Sequence, residues 1–423
     1  MHRLLMRMLA GALVLGAVGC DKEDDRDDDR DAFPLPEVRF PEPEEGGPEY
    51  SGGPVTWHRD VAPIVQRRCQ GCHADNGMAP VALRTYAQAS ARHAVVADAV
   101  TQLRMPPWMP AAGAHRFKDS RRMTRGEVAI LSAWSAQGAP EGDPATAPLP
   151  EPVAHGLPWV DTHMEPAQAY VPNGTQQDDY HCFLLEPGFG EARDVIGFEV
   201  LPGTPHQVHH VLLFNVPEAD ARRADAAEPG PGWTCFGDSG VANQSVLGAW
   251  APGTPATRCP EGTGVRVQPG SVVVMQVHYN LNNGPRVADR TGVDLQFARE
   301  PVPNPAALQL FASDGFAIPA GGQGYRYTFQ RRVGQGRLWG VIPHMHTLGR
   351  RIVLQREEGS LIDIPAWDFH WQQMYFYEQP VQFTSSVGRL QLTCVWDNPT
   401  PRTVRWGEGT EDEMCLAYLY VTR

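Results

Sequence analysis

Two kinds of hydrophobic spacing divide this chain. Over residues 55–140 apolar side chains recur three and four apart, the period of a buried helix face. Val61, Ile64 and Val65 share one such face behind Thr56, a residue type that caps helix N-termini. Residues 84–104 are alanine-rich and helix-compatible. Thr124 and Glu127 form a capping box ahead of Val128, Leu131 and Trp134, and Gly138 ends that helix. From about residue 156 the pattern becomes short apolar runs between turn residues. Strands are predicted at 208–214, 271–279, 338–346, 390–396 and 414–421, the pattern of an all-β sandwich. Pro301, Pro303 and Pro305, within 297–307, read as a joint between two β domains. No internal repeat is evident.

The N-terminus reads as a targeting segment. His2, Arg3 and Arg7 precede an apolar run at 9–18 that is too short to span a bilayer comfortably. Ala17-Val18-Gly19-Cys20 resembles a bacterial lipobox, with alanine where leucine is usual, so cleavage before Cys20 and lipidation of its thiol are expected. A plain secretory signal with a chance cysteine is the alternative. The expected organisation is a signal peptide at 1–19, an acidic Pro-rich tether at 20–54, a helical domain at 55–142, a linker at 143–155, and β domains at 156–300 and 301–423. The net charge is −13, but 21–50 alone hold thirteen acids and four bases. The acidity therefore belongs to the tether, which should stay extended and solvated. No basic cluster suggests nucleic acid.

The eight cysteines fall into groups. Cys20 belongs to the anchor. Cys69-Gln70-Gly71-Cys72-His73 is the C-x-x-C-H pattern of covalent haem attachment, in which two thiols bond the vinyl groups and the histidine ligates iron. A redox dithiol or half of a zinc site are the alternatives, although no second cysteine pair follows nearby. Met78, Met105, Met109 and Met123 are candidate sixth ligands. Met105 stands out, since the prolines of Arg104-Met105-Pro106-Pro107-Trp108 fix the backbone that presents it. Segment 55–142 resembles bacterial cytochrome c-like domains with this turn, in which the turn methionine is the axial ligand. Cys182, Cys235, Cys259, Cys394 and Cys415 remain, and disulfides are expected in an exported chain.

The β region carries three histidine clusters: His209-His210, His278, and His344-Met345-His346, with Met414 near the end. Residues two apart on a strand share a face, so His344 and His346 can hold one metal, with the Met414 thioether completing a soft site. Adjacent residues face opposite ways, so His209 and His210 need a bulge or strong twist to converge with His278. Imidazoles without carboxylate favour copper or zinc. Taken singly, each cluster also fits a packed, hydrogen-bonded histidine or a core methionine.

The order and spacing of the pieces resemble one family, the copper type II ascorbate-dependent monooxygenases that hydroxylate peptidylglycine or dopamine. The resemblance runs from Asp178-Asp179-Tyr180-His181-Cys182 to Tyr420. It includes His-His-x-Leu-Leu-Phe, Gln-Val-His-Tyr, His-x-His-x-Leu-Gly and Asp412-Glu413-Met414-Cys415. It implies two jelly-roll-like domains, each with one copper, across a solvent-filled cleft. His209, His210 and His278 would hold the electron-supplying copper, with Tyr180 and Gln276 nearby. His344, His346 and Met414 would hold the copper that activates O2. Cys182–Cys235 and Cys394–Cys415 match family disulfides, whereas Cys259 matches none. In the peptide-hydroxylating enzyme an Arg two before the His-x-His pair and an Asn hold the substrate carboxylate. Those positions are Ile342 and Leu416 here, while Tyr418 keeps the matching Tyr. C-terminal glycine peptides are therefore not the expected substrate.

The expectation is an envelope lipoprotein with a small all-α cytochrome c-like domain and two all-β jelly-roll-like sandwiches. Two coppers and haem c would hydroxylate a small molecule with O2, using an external electron donor. A non-catalytic copper-binding or electron-transfer lipoprotein, or a copper-buffering one, are the rivals.

Overall fold

The computed structural model describes residues 32–423 apart from 76–78, 80, 114, 149–155, 174–177, 253, 282–283, 370, 385–387, 408 and 410. The lipidation candidate Cys20 and the ligand candidate Met78 lie outside the described residues. No helix among the described residues is long and apolar enough to cross a membrane.

The helical segment forms as its pattern predicts. A turn at Trp57–Val61 runs into the helix Ala62–Arg68, followed by Tyr86–Ser90, His93–Thr101 and Arg125–Ala136. Val61, Ile64, Val65, Leu131 and Trp134 are buried together with Met123 in one small core. The Thr124 hydroxyl accepts from the Glu127 N–H while the Glu127 carboxylate accepts from the Thr124 N–H. Thr56 departs from its expected role. Its side chain makes no cap bond, and its N–H instead donates to the Asp60 carboxylate at 2.7 Å.

The rest is β. A five-stranded sheet runs in the order Trp233–Thr234, Asp178–Phe189, Ser271–Asn280, Val208–Pro217, Ser245–Trp250. Ser271–Asn280 is its central strand and is buried on both faces. Val273, Met275, Val277 and Tyr279 point into the sandwich core. Val272 and Val274 point to the outer face, where the helix Glu218–Asp225 and the loop carrying Cys235 cover them. His278 has the parity of that outer face.

The opposing layer is a single nine-stranded sheet shared by both β regions. The expected joint at 297–307 is crossed by a strand. The strand Asn304–Ala312 starts inside it and pairs in parallel with Thr263–Val267, through Asn304↔Thr263, Pro305↔Gly264 and Ala306↔Val265. Pro305 lacks an N–H but is accommodated at this strand end. The C-terminal half of that sheet packs on the four-stranded sheet of Tyr325–Val333, Gly388–Trp396, Gly349–Arg356 and Gly359–Ile364. Phe376 and Tyr420, from the C-terminal half, pack into the N-terminal sandwich core.

Two N-terminal segments behave differently from a tether and a domain held by a linker. The Pro-rich stretch from residue 32 is extended, yet it is held against the C-terminal sheet. Gln391 exchanges hydrogen bonds with Phe33, while the carbonyls of Pro34 and Pro36 accept from Gln355 and Arg351. Prolines keep their carbonyls exposed as acceptors, which is the physical reason such a chain finds partners along a sheet. The stretch 108–121 of the helical domain enters the C-terminal core outright. Trp108 meets Tyr375 edge-on at 5.3 Å, and Phe117 stacks on Tyr377 at 5.2 Å. The Lys118 and Glu378 N–H groups donate to the Phe376 and Arg116 carbonyls, each at 2.8 Å.

Trp108→Ala is therefore expected to destabilise the C-terminal sandwich by about 3–5 kcal/mol, the range for emptying a buried aromatic site. The check is the urea midpoint of that domain. An unchanged midpoint would mean that the segment only rests on the surface.

Candidate metal centres

The first cluster sits at the end of the outer face of the five-stranded sheet. Val208 and Val211, three apart, both face the core, which is possible only with one extra residue between them. The register supplies it: Val208 pairs with Tyr279 and His210 with His278, leaving His209 as the bulge. The bulge turns two adjacent histidines toward one point. The donor atoms of His209, His210 and His278 lie within 4.8 Å of one another. His210 Nδ1 is 3.1 Å from His209 Nδ1 and 3.2 Å from His278 Nδ1.

Asp178 sets the tautomer. It accepts a hydrogen bond from His278 Nε2 at 2.8 Å, so His278 Nδ1 presents a bare lone pair to the cluster. One proton can serve only one of the contacts around His210 Nδ1, whereas a shared cation serves all three imidazoles. Burial, then the neighbouring imidazoles, hold His210 and His278 well below their ordinary pKa and therefore neutral, the form a metal requires. The Tyr180 ring stacks on His278 at 4.1 Å. Gln276 is fully buried and donates to the Asp238 carbonyl at 2.8 Å, anchoring the loop beside the Cys182–Cys235 disulfide.

The second cluster differs from the shared-strand expectation. The strand Gly336–His344 ends at His344, and the last strand, Leu416–Thr422, begins after Met414. His346 is placed by a carboxylate instead. Glu413, fully buried, accepts from the N–H groups of His346 (2.9 Å), Leu348 (2.7 Å) and Met414 (3.2 Å), and from Trp396 Nε1 (2.9 Å). The Cys394–Cys415 disulfide fixes the residue next to Met414. His344 and His346 stand edge to face at 5.1 Å. The Nδ1 of His344 donates to Gln372 Oε1 and that of His346 to the Asp412 carbonyl, leaving both Nε2 atoms as ligands. Met414 is buried, and Glu413 ties its backbone to that of His346; two imidazoles with a thioether would suit a soft ion such as Cu(I).

The two clusters do not face a solvent-filled cleft. Phe369, itself buried, stacks on His209 at 4.9 Å and meets His346 edge-on at 5.8 Å. The loop around it touches both centres. Trp367 Nε1 donates to the His346 carbonyl at 3.1 Å, Gln372 holds His344, and the Asp368 N–H donates to Met109 Sδ at 3.3 Å. Met109 is thus a core contact of the C-terminal domain, and Met123 packs within the helical core. Met109 is thereby committed to the C-terminal domain, whereas Met123 stays in the core against which Cys69 packs.

At the haem motif, Cys69 and Cys72 are free thiols at the end of helix Ala62–Arg68. His73 Nδ1 donates to the Val81 carbonyl at 2.8 Å, which leaves Nε2 for iron. This donor set fits a c-type haem. Met105 lines a shallow cavity with Leu103, Pro106, Trp108 and Met123. Cys259 is unpaired with any other cysteine, and burial pushes its thiol up to about 11.

Asp178 and Glu413 stood in the quoted motifs without a role, and Phe369 and Gln372 were not singled out by the sequence. Asp178 had a signal, since it lies two before Tyr180 on a strand and so shares its face. Phe369 and Gln372 lie in an irregular loop, where no period points to a partner.

Fold and site define two candidate metal centres on β sandwiches, one of three imidazoles and one of two imidazoles with Met414 held nearby in the chain by Glu413. Residues 163–285 match the N-terminal domain of copper type II ascorbate-dependent monooxygenases, and residues 334–421 match the C-terminal domain. The chain belongs to that family. Peptidyl-glycine alpha-amidating monooxygenase A of Xenopus laevis is 27% identical over 263 residues, covering 58% of this chain and 26% of that protein. Form B from the same animal is 29% identical over 267 residues, covering 58% and 28%. The chain thus spans little more than a quarter of the length of these curated relatives. Among solved structures, the infectious bursal disease virus VP2 subviral particle aligns at 12% identity over 66% of this chain and 75% of its own, with a TM-score of 0.15, too low to bear on the fold.

Burial holds His344 at about 3 and His346 at about 4, against an ordinary 6.5. Between those values the unfolded chain binds more protons than the folded one, so this stability is complete above pH 6.5 and is lost as pH falls. Glu413, pushed up to about 7 by burial against its four donors, acts in the opposite sense, and the four imidazoles outweigh it. The melting temperature of metal-free protein should fall steadily on acidification from pH 6.5. The double variant His344→Gln, His346→Gln should show a shallower slope. An equal slope would mean that these imidazoles are not held neutral.

Proposed function

We propose that this chain is a copper-dependent monooxygenase that hydroxylates a C–H bond of a small molecule with O2, and that a c-type haem at Cys69, Cys72 and His73 supplies its electrons. The observation that carries the reading is the pairing of two histidine clusters, His209, His210 and His278 on one side and His344 and His346 on the other, about one buried aromatic ring. Bound copper supplies the one-electron chemistry toward O2.

The chain's own residues do the rest. Asp178, Gln372 and the Asp412 carbonyl orient the imidazoles, and Glu413 ties the His346 loop to Met414. Phe369 excludes water between the centres. Beside His344, Leu416 is its cross-strand partner and Ile342 pairs with Tyr418, so the wall is apolar except for one phenol. No cation stands at positions 342 or 416 to hold a carboxylate, which favours a small apolar or amphipathic substrate over a C-terminal glycine peptide.

Two observations support haem over a redox dithiol. His73 is oriented by the Val81 carbonyl, as a ligating histidine is. Burial pushes the Cys69 thiol up to about 12 and raises Cys72 as well, the reverse of the low-pKa thiols that exchange disulfides. In this reading Met105 completes the iron, Cys20 carries a lipid anchor in a bacterial envelope, and a soluble donor reduces the haem.

Protein matured with haem should keep its colour through acid–acetone extraction, and freely extracted colour would remove haem from the account. The copper-loaded chain should bind two coppers and couple O2 uptake to a hydroxylated product. Met414→Ala should keep the three-histidine copper and lose at least about tenfold in turnover, as ligand-shell changes do. Stoichiometric copper without O2 uptake across a panel of small amphipathic molecules would point to a non-catalytic copper or electron-transfer protein.

A further inference from the structure

The loop 367–373 reaches the His344–His346 centre, yet two of its holds come from outside the C-terminal sandwich. Both belong to the stretch 108–121 of the helical domain, which the rings of Trp108 and Phe117 and the Ala111 N–H seat on Tyr375, Tyr377 and the Asp363 carbonyl. At one end of the loop the Asp368 N–H donates to Met109 Sδ at 3.3 Å. At the other the Arg121 guanidinium donates to Oε1 of the buried Gln373. These two holds bracket Phe369 and Gln372. Between them the Gln372 amide is used at both ends. Its Nε2 donates to the Phe369 carbonyl at 2.8 Å, and its Oε1 accepts from His344 Nδ1. A carbonyl can only accept, so Phe369 takes the NH2 end of the amide and leaves the oxygen to face His344. The imidazole must answer with Nδ1–H, and Nε2 is then its bare nitrogen. The tautomer of His344 is set by where residues 369 and 372 stand, and the helical domain grips the chain on both sides of that pair.

We propose that Arg121 is a positioning residue for the His344–His346–Met414 centre: it fixes Gln373, and through the adjoining Gln372 it holds His344 in the tautomer that offers Nε2 to a metal. Metal binding at this centre then depends on the docking of the helical domain. The proposal rests on the reading of the centre as a copper site and is independent of the haem. Two other imidazoles give the contrast. His278 Nε2 donates to Asp178, and both residues belong to the five-stranded sheet. His346 Nδ1 donates to the Asp412 carbonyl of its own domain. Their tautomers owe nothing to the helical domain, so Arg121 reaches His344 and leaves these two as they are.

The first readout needs no metal. In full-length, metal-free protein with isotopically labelled histidine nitrogens, the ring-nitrogen NMR shifts report each tautomer, and His344→Gln and His278→Gln assign the signals. Wild-type His344 should be the Nδ1–H form alone. Arg121→Met and Gln373→Leu should each mix in the Nε2–H form. The double variant should add nothing to the larger single effect, because both substitutions remove one contact. Arg121→Lys, which keeps a cationic donor, should restore much of the Nδ1–H population. The His278 signals should keep their wild-type positions, which also shows that each variant is folded. The second readout is copper(I) affinity by competition with a chelator. Arg121→Met should weaken the Met414 centre by about tenfold to a hundredfold, the scale of changes behind a metal ligand, and leave the three-histidine centre unchanged. Wild-type His344 in the Nε2–H form, or a pure Nδ1–H form that persists in both variants, would overturn the proposal. So would additive effects of the two substitutions, or equal losses at both centres, which mark a general loosening. A tautomer that shifts as expected in a protein that binds no copper through His344 would uphold the positioning and overturn the copper reading.

Discussion

The structure depends on one short loop, 367–373, that ties three parts of the chain together. Trp367 donates to the backbone beside one histidine ligand, Phe369 lies between two ligand sets, Gln372 fixes a tautomer, and Gln373 takes a hydrogen bond from the helical domain. None of these contacts is large by itself. Each of these side chains answers to a different packed neighbour. Arrangements of this kind switch between states only as units.

That loop can act only because its neighbours are fixed. The parallel pairing of Asn304–Ala306 with Thr263–Val265 makes the two sandwiches share a sheet, so a domain rotation would break a ladder rather than flex a linker. Trp108 and Phe117 close the other side, adding aromatic rings from the helical domain to the C-terminal core. The metal centres therefore inherit their spacing from sheet geometry. The buried Phe369 packs between them, and in such a setting charge and hydrogen bonds act more strongly than in solvent.

Much of this was legible in the sequence, for reasons tied to particular residues. The helix 125–136 announced itself through Thr124 and Glu127, and the strand around His278 through its unbroken apolar run. The need for a bulge or strong twist at His209-His210 followed from the two-residue period, and the register contains a bulge at His209. Other features were hidden. His346 looked like a strand residue because it lies two after His344, but a buried carboxylate sixty-seven residues away sets its position. The prolines at 301–305 read as a joint between two β domains, and the strand that starts among them carries one ladder across that joint. The stretch 32–54 read as solvated because its side chains are polar, while its backbone carbonyls do the binding. In each case a long-range partner decided the outcome, and local period carries no record of such a partner.

The central claim is that two copper centres stand on either side of the Phe369 ring. The most direct measurement is the dipolar coupling between the two copper(II) spins by pulsed EPR in frozen, fully loaded protein. The account predicts one strong, narrowly distributed coupling that broadens and weakens in Phe369→Ala. Two uncoupled copper signals, or a broad distribution already present in the wild type, would contradict it.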